Sequence, residues 1–221
     1  TNNNIKVKNG KYNCQNIGIE PDWSALSYWY EIAALSDSFD VFFPGFKMNS
    51  HQGDSVLPEI FNLLGVDSVF ENGGIRITKK EHFVAPQLLV YDFTLCPDVA
   101  QTVAATCVGL GVNCKLKGLD NLNLKESNRI KVMDQTLSEF GAYISTTSDS
   151  IEILPRKVIN HNKTFVFDTY HDHRVAMSLA PLALICKSLE LKEPQVVEKS
   201  YPEFWSHLHN FGLVCTNPTL I

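Results

Sequence analysis

The 221-residue sequence has no Cys-x-x-Cys pair, no Gly-x-x-x-x-Gly-Lys-Ser/Thr loop, no Gly-x-Ser-x-Gly elbow and no Gly-x-Gly-x-x-Gly turn. Those absences exclude zinc ribbons, P-loop nucleotide binding, α/β-hydrolase chemistry and a Rossmann dinucleotide site by their usual signatures. No run of 18 apolar residues occurs, so no hydrophobic spanning helix is written into the chain. Long basic runs are also missing and the net charge is −5, which argues against an extended nucleic-acid groove. An anion site must then come from a local concentration of Lys and Arg. The six cysteines, Cys14, Cys96, Cys107, Cys114, Cys186 and Cys215, have no histidines beside them at zinc spacing. They read as reduced thiols of a cytoplasmic protein.

With 44% hydrophobic and 19% charged residues, there is enough apolar mass for one large domain or two small ones. Periodicity predicts helices at about 24–35, 54–64, 98–109, 125–140, 173–186 and 202–211. β-rich runs predict strands at 40–43, 68–71, 74–78, 88–92, 113–117, 143–146, 150–154, 165–167 and 189–192. Three predicted helices end alike, at Leu64-Gly65-Val66, Phe140-Gly141-Ala142 and Phe211-Gly212-Leu213. Each glycine fits the left-handed position that stops a helix. The pattern reads as three β-α-β-α-β-β units, about 17–80, 86–155 and 163–221, in one pseudo-symmetric α/β domain. Residues 1–16 fall outside those units. Ile5-Lys6-Val7-Lys8, Asn9-Gly10 and Lys11-Tyr12 look like a hairpin, so the chain reads as a piece of a longer one.

Candidate chemistry gathers at helix starts. Lys125-Glu126-Ser127-Asn128-Arg129 precedes an amphipathic run, and Asp172-His173-Arg174 precedes an apolar one. A helix N-terminus already carries about half a positive charge, so cations there cost roughly 0.3–1 kcal/mol each. An arriving anion would use both the helix end and the side chains. Asn123 and Glu126 have capping-box spacing, and Lys125 and Arg129 would share a helix face. Asp172 suits an N-cap; His171 and His173 lack a third partner nearby, so no metal is expected. Asp98 follows a strand and opens a helix, where α/β folds place their ligand crevice. Lys199 precedes Pro202 at the start of the last helix.

These segments, with Lys199-Ser200-Tyr201-Pro202-Glu203-Phe204, Glu20-Pro21-Asp22-Trp23-Ser24-Ala25-Leu26-Ser27-Tyr28 and Pro97-Asp98, resemble in order the C-terminal half of the 5-enolpyruvylshikimate-3-phosphate synthase (3-phosphoshikimate 1-carboxyvinyltransferase) family. The resemblance runs from about Ile5 to the C-terminus. Two positions depart from the family pattern: Asn128 stands where Asp is usual, and Asn123 where Arg is usual.

The resemblance implies an inside-out α/β barrel domain of three β-α-β-α-β-β repeats, enolpyruvyl transferase-like. On it, residues 1–16 would end the other domain or form a linking hairpin, and 17–221 would be the C-terminal domain. It implies transfer of the carboxyvinyl group of phosphoenolpyruvate to the 5-hydroxyl of shikimate 3-phosphate, with release of phosphate and without metal or organic cofactor. Asp98 and Glu126 would be catalytic; Asp98, Asn121 and Lys125 would hold shikimate 3-phosphate; Arg129, His173, Arg174 and Lys199 would hold phosphoenolpyruvate. Proton exchange by Glu126 would want a carboxyl pKa moved toward neutrality. The partner would be a missing N-terminal domain of the same cytoplasmic enzyme, monomeric when full length, and this piece would be inactive alone. The alternatives are a UDP-N-acetylglucosamine 1-carboxyvinyltransferase-like enzyme and a non-catalytic half-domain.

Overall fold

A computed structural model of the chain describes residues 5–13, 18–155 and 162–215. Among the described residues are six α-helices: α1 Trp23–Leu35, α2 Leu57–Asn62, α3 Ala100–Leu110, α4 Arg129–Glu139, α5 His173–Leu179 and α6 Phe204–Asn210. The same described residues form nine strands: β1 Asp40–Pro44, β2 Val66–Glu71, β3 Gly74–Lys79, β4 Leu88–Asp92, β5 Asn113–Lys117, β6 Tyr143–Thr146, β7 Ser150–Leu154, β8 Thr164–Phe167 and β9 Ser188–Leu191.

The helices divide by sequence into inner and outer. Ten of the 13 residues of α1 are buried, nine of the 11 in α3 and six of the seven in α5. Helices apolar around most of their circumference belong inside. They pack together, α3 against both α1 and α5. Gly109 permits the approach of α3 to α1: a Cβ there would sit 2.5 Å from Leu35 Cδ2. By contrast α4 buries one stripe, Ile130, Val132, Met133, Thr136 and Leu137, together with its first residue Arg129, and faces water elsewhere.

Three sheets surround this helical centre. In one, β4 runs parallel to β5, β5 antiparallel to β7, and β7 antiparallel to β6. A second, ordered β1-β3-β2, repeats that plan with no strand equivalent to β4 among the described residues. The third, β8 parallel to β9, has the first two strands of the plan and no hairpin among the described residues. Gly65, Gly141 and Gly212 all have positive φ, +87°, +94° and +105°, and stop the outer helices as expected. Among the described residues no helix is long and apolar enough to cross a membrane.

Two local expectations are overturned. Residues 5–13 form no strand and are exposed, so the hairpin about Asn9-Gly10 is absent there; a lone two-stranded hairpin with no apolar surface to cover is marginal in water. The helix expected from residue 125 begins at Arg129. Asn128 caps it, accepting from the Lys131 N–H at 3.0 Å, so Asn123 and Glu126 form no capping box. The Asn123 amide instead donates to the carbonyls of Asp120 and Ser148 and pins a 3-10 turn over Asp120–Leu124. Residues 125–128 thereby become a linker, and the side chains of Lys125, Glu126 and Ser127 face other parts of the chain.

One interior group stands apart. Glu31 lies wholly buried in α1 and neither carboxyl oxygen has a hydrogen-bond partner. Burial pushes its pKa well above the ordinary carboxylate value of about 4.5. Because the folded-state pKa lies above the unfolded one, the neutral acid favours folding at low pH. That contribution is lost as pH rises above about 4.5 toward the folded-state pKa. Glu31→Gln is therefore expected to raise the urea midpoint at pH 8 and to flatten its dependence on pH between 5 and 8. A Glu31→Gln chain whose midpoint falls with pH as steeply as the parent's would contradict this origin.

Candidate active site

The starts of the inner helices meet at one place. Asp22 N-caps α1, accepting from the Ser24 N–H at 2.8 Å, and Asp172 N-caps α5, accepting from the Arg174 N–H at 3.0 Å. Asp98 holds the corresponding place before α3, but the chain there is a 3-10 turn, Pro97–Val99, and the Asp98 side chain caps nothing. Its carboxylate is left to face cations. Lys125 Nζ and Arg129 Nη1 each lie 3.2 Å from Asp98 Oδ1, and Arg174 Nη2 lies 3.2 Å from Oδ2. Arg174 also donates to the Asp98 carbonyl at 3.2 Å and to Ser24 Oγ at 3.4 Å, so a guanidinium carried at the start of α5 touches the starts of the other two inner helices.

Arg129 is the centre of the cluster. Its side chain is 1% exposed and is held by three carboxylates. Asp172 accepts from Nε at 2.8 Å and Nη2 at 3.2 Å, Glu126 from Nη2 at 2.8 Å, and Asp98 from Nη1. Asp172 is itself fully buried and takes a further bond from Ser127 Oγ at 2.9 Å. On the solvent side, Lys199 Nζ donates to Glu126 Oε1 at 2.6 Å. His173 packs beside them, 3.9 Å from Glu126, with Nδ1 buried and unpartnered.

The electrostatics follow from these contacts. The Lys199 hydrogen bond, helped by Arg129, outweighs partial burial and holds the Glu126 carboxyl at about 2. That is opposite to the shift toward neutrality expected of a proton donor: in this arrangement Glu126 is an anion. Burial pushes Asp98 up, but Arg174, Lys125 and Arg129 together bring it below the usual carboxylate range. For His173, burial outweighs the pull of Asp172 and lowers the pKa, so the ring is neutral at pH 7. Among the described residues no group of three or more His, Cys, Asp or Glu is placed to hold a metal ion. His171 turns away to Glu193 at 3.0 Å. The five described cysteines are unbridged, and Cys14 lies outside the described residues.

Of the residues expected from sequence, the structure joins Asp98, Lys125, Glu126, Arg129, His173, Arg174 and Lys199 in one cluster. Asn121 is exposed on the 3-10 turn and enters none of these pairs. Sequence reasoning missed the role of Asp172 as a buried counter-ion and the contributions of Ser24, Asp54 and Ser127. An N-cap pattern marked Asp172, but nothing local signals its pairing with a residue 43 positions away. The cluster is charge-dense, nearly balanced and open to solvent at Lys199 and Lys125, whose side chains are 61% and 33% exposed. Such a wall can exchange an internal carboxylate for an external anion.

Comparison with known proteins bears on the family and the fold. Residues 1–208 match the family model of EPSP synthase (3-phosphoshikimate 1-carboxyvinyltransferase). A 3-phosphoshikimate 1-carboxyvinyltransferase of Bacteroides fragilis is 39% identical over 95% of this chain and 50% of its own length. One from Methanoculleus marisnigri is 29% identical over 95% of this chain and 48% of its own length. An EPSP synthase structure from Acinetobacter baumannii superposes with a TM-score of 0.71 at 23% identity, over 89% of this chain and 47% of that one. The enolpyruvyl transferase NikO from Streptomyces tendae gives 0.61 at 13% identity, over 89% of this chain and 44% of that one. The last two likenesses concern the fold. The chain spans about half the length of the curated relatives it matches. Three inner helices with a basic cluster at their starts, and a family match along nearly the whole sequence, place this chain in the EPSP synthase family.

Proposed function

We propose that this chain supplies one wall of a 3-phosphoshikimate 1-carboxyvinyltransferase, the other wall belonging to an N-terminal half of the same cytoplasmic, monomeric enzyme. The observation that carries the reading is the convergence of Lys125, Arg129, Arg174 and Lys199 on Asp98 and Glu126 through ion pairs of 2.6–3.2 Å. Phosphoenolpyruvate and shikimate 3-phosphate are small and multiply anionic. Planar guanidinium groups at helix starts suit their carboxylate and phosphate oxygens. Phosphate is a good leaving group, so the reaction calls for an acid, a base and fixed cations, and no cofactor.

In this reading Asp98 accepts the proton of the attacking 5-hydroxyl while Glu126 protonates the enol methylene. The new C–O bond completes a tetrahedral adduct. Glu126 then removes a methyl proton as the C–O bond to phosphate breaks, and the proton on Asp98 leaves with the phosphate. Asn121 and Lys125 would hold shikimate 3-phosphate; Arg129, Arg174 and Lys199, with His173 beside them, would hold phosphoenolpyruvate. The depressed pKa of Glu126 gives the sequence of events a trigger. An anion that draws Lys199 away removes the main cause of that depression and lets the carboxyl rise toward the range where it takes up, from solvent, the proton it then gives to the methylene. Substrate arrival and arming of the acid are then one event.

Three outcomes test the proposal. In the enzyme containing both halves, Glu126→Gln or Arg174→Ala is expected to cut kcat at least about a hundredfold with the fold intact by circular dichroism; near-normal turnover would refute the role given to that residue. Lys199→Ala is expected to raise the Glu126 pKa from about 2, read as a carboxyl carbon titration by NMR. Residues 1–221 alone are expected to show no turnover and weak phosphoenolpyruvate binding by calorimetry, because half the charges and the closure of the site are missing. Robust activity of this chain alone would overturn the two-walled reading.

A further inference from the structure

Behind Arg174 lies a segment that the proposed chemistry leaves unused, the turn Gln52-Gly53-Asp54 ahead of α2. It is wedged against two of the inner helix starts. The Gln52 side chain accepts from the Trp23 N–H at 3.0 Å and donates to the Pro21 carbonyl at 2.8 Å, clasping the first turn of α1 on both sides. Gly53 passes so close to the turn before α3 that a Cβ would lie 2.2 Å from the Leu95 carbonyl oxygen. Only glycine allows that approach. Asp54 is delivered by this turn to Ser24, whose hydroxyl donates to Asp54 Oδ2 in a short hydrogen bond. The same Ser24 oxygen accepts from Arg174 Nη2 at 3.4 Å.

A serine hydroxyl has one proton and two lone pairs. With the proton committed to Asp54, a lone pair of Ser24 is left for Arg174. The backbone N–H of Ser24 is satisfied separately by Asp22, so the side chain has no capping duty of its own. We propose that Asp54 is a positioning residue: by fixing the Ser24 hydroxyl it sets the direction of the Arg174 guanidinium. The proposal rests on the reading of Arg174 as an anion ligand for its functional meaning, and on the Asp54–Ser24–Arg174 geometry for its substance. Asp54 lies close enough to Arg174, Asp98 and Asp22 to act on their charges, and burial raises its own pKa against the hydrogen bond from Ser24 and the pull of Arg174. A carboxylate kept partly out of water beside a cation it does not touch fits an orienting role.

The test separates hydrogen bonding from charge. In the 221-residue chain, the Arg174 guanidinium Nη–H signals, assigned with Arg174→Lys, report how firmly the group is held by Ser24. Asp54→Ala and Ser24→Ala should each speed its exchange with water by about tenfold, the scale of one hydrogen bond to a charged group. Their combination should add nothing further. Asp54→Asn keeps an oxygen that accepts from Ser24 and should retain most of the protection. Unchanged exchange in folded Asp54→Ala overturns the proposal, and so does an Asp54→Asn chain as impaired as Asp54→Ala. If Asp54→Ala does not fold, Ser24→Ala decides alone: unchanged exchange there overturns it. In the enzyme with both halves, Asp54→Ala should raise KM for phosphoenolpyruvate about tenfold with a smaller change in kcat; an unchanged KM overturns the proposal. Failure of the transferase reading would appear differently, as an unsubstituted enzyme without turnover, and would leave the exchange measurement to decide.

Discussion

The Arg129–Asp172 pair is the contact on which the rest of the site depends. Both side chains are essentially removed from water, and they meet through two hydrogen bonds. Taking two charges out of water costs several kcal/mol per ion, and only good geometry and further hydrogen bonds repay it. Both conditions are met here. Asp172 takes a bond from Ser127 and another from its own helix start, while Arg129 is shared with Glu126 and Asp98. The pair ties the first residue of an outer helix to the cap of an inner one. It therefore fixes the 125–128 linker, and with it the place of Glu126.

The threefold plan explains why one acid differs from its counterparts. Asp22, Asp98 and Asp172 each open an inner helix, and two of them are used as caps. A carboxylate that accepts its own helix's N–H groups has fewer lone pairs for anything else. Pro97 and the 3-10 turn release Asp98 from that task and turn it toward Lys125 and Arg174. The resulting wall is nearly neutral, each cation facing a carboxylate. That arrangement is stable without a ligand and yields to one, since an incoming phosphate or carboxylate can take over contacts already made by Glu126 and Asp98.

Much of this was legible in the sequence where local physics decides. Helix-stopping glycines at 65, 141 and 212 and the β-branched runs marked the repeat, and the outer stripe of α4 showed in Ile130, Met133 and Leu137. Clustered cations at helix starts marked the site. The start of α4 was read too early because Asn123-x-x-Glu126 and Asn128-x-x-Lys131 are both acceptable beginnings, and tertiary contacts of Asn123 chose the second. The ionisation of Glu126 was missed for a related reason: its controlling partner, Lys199, lies 73 residues away. Asp54 was invisible because its value lies in a hydroxyl 30 residues back. Long-range pairing of ordinary polar residues leaves no periodic mark.

The two-stranded sheet of β8 and β9 carries a consequence for handling the molecule. Its sister sheets have four and three strands, whereas among the described residues this one has two, so both of its strands are edge strands. A bare strand edge is a template for any extended peptide, including the same segment of a neighbouring molecule. Strand exchange between copies would satisfy those amides at the expense of monodispersity, and a heterologous exchange propagates without closing. An extended peptide, or a second copy, that added a strand at this seam would lengthen the sheet by the same pairing that joins β8 to β9.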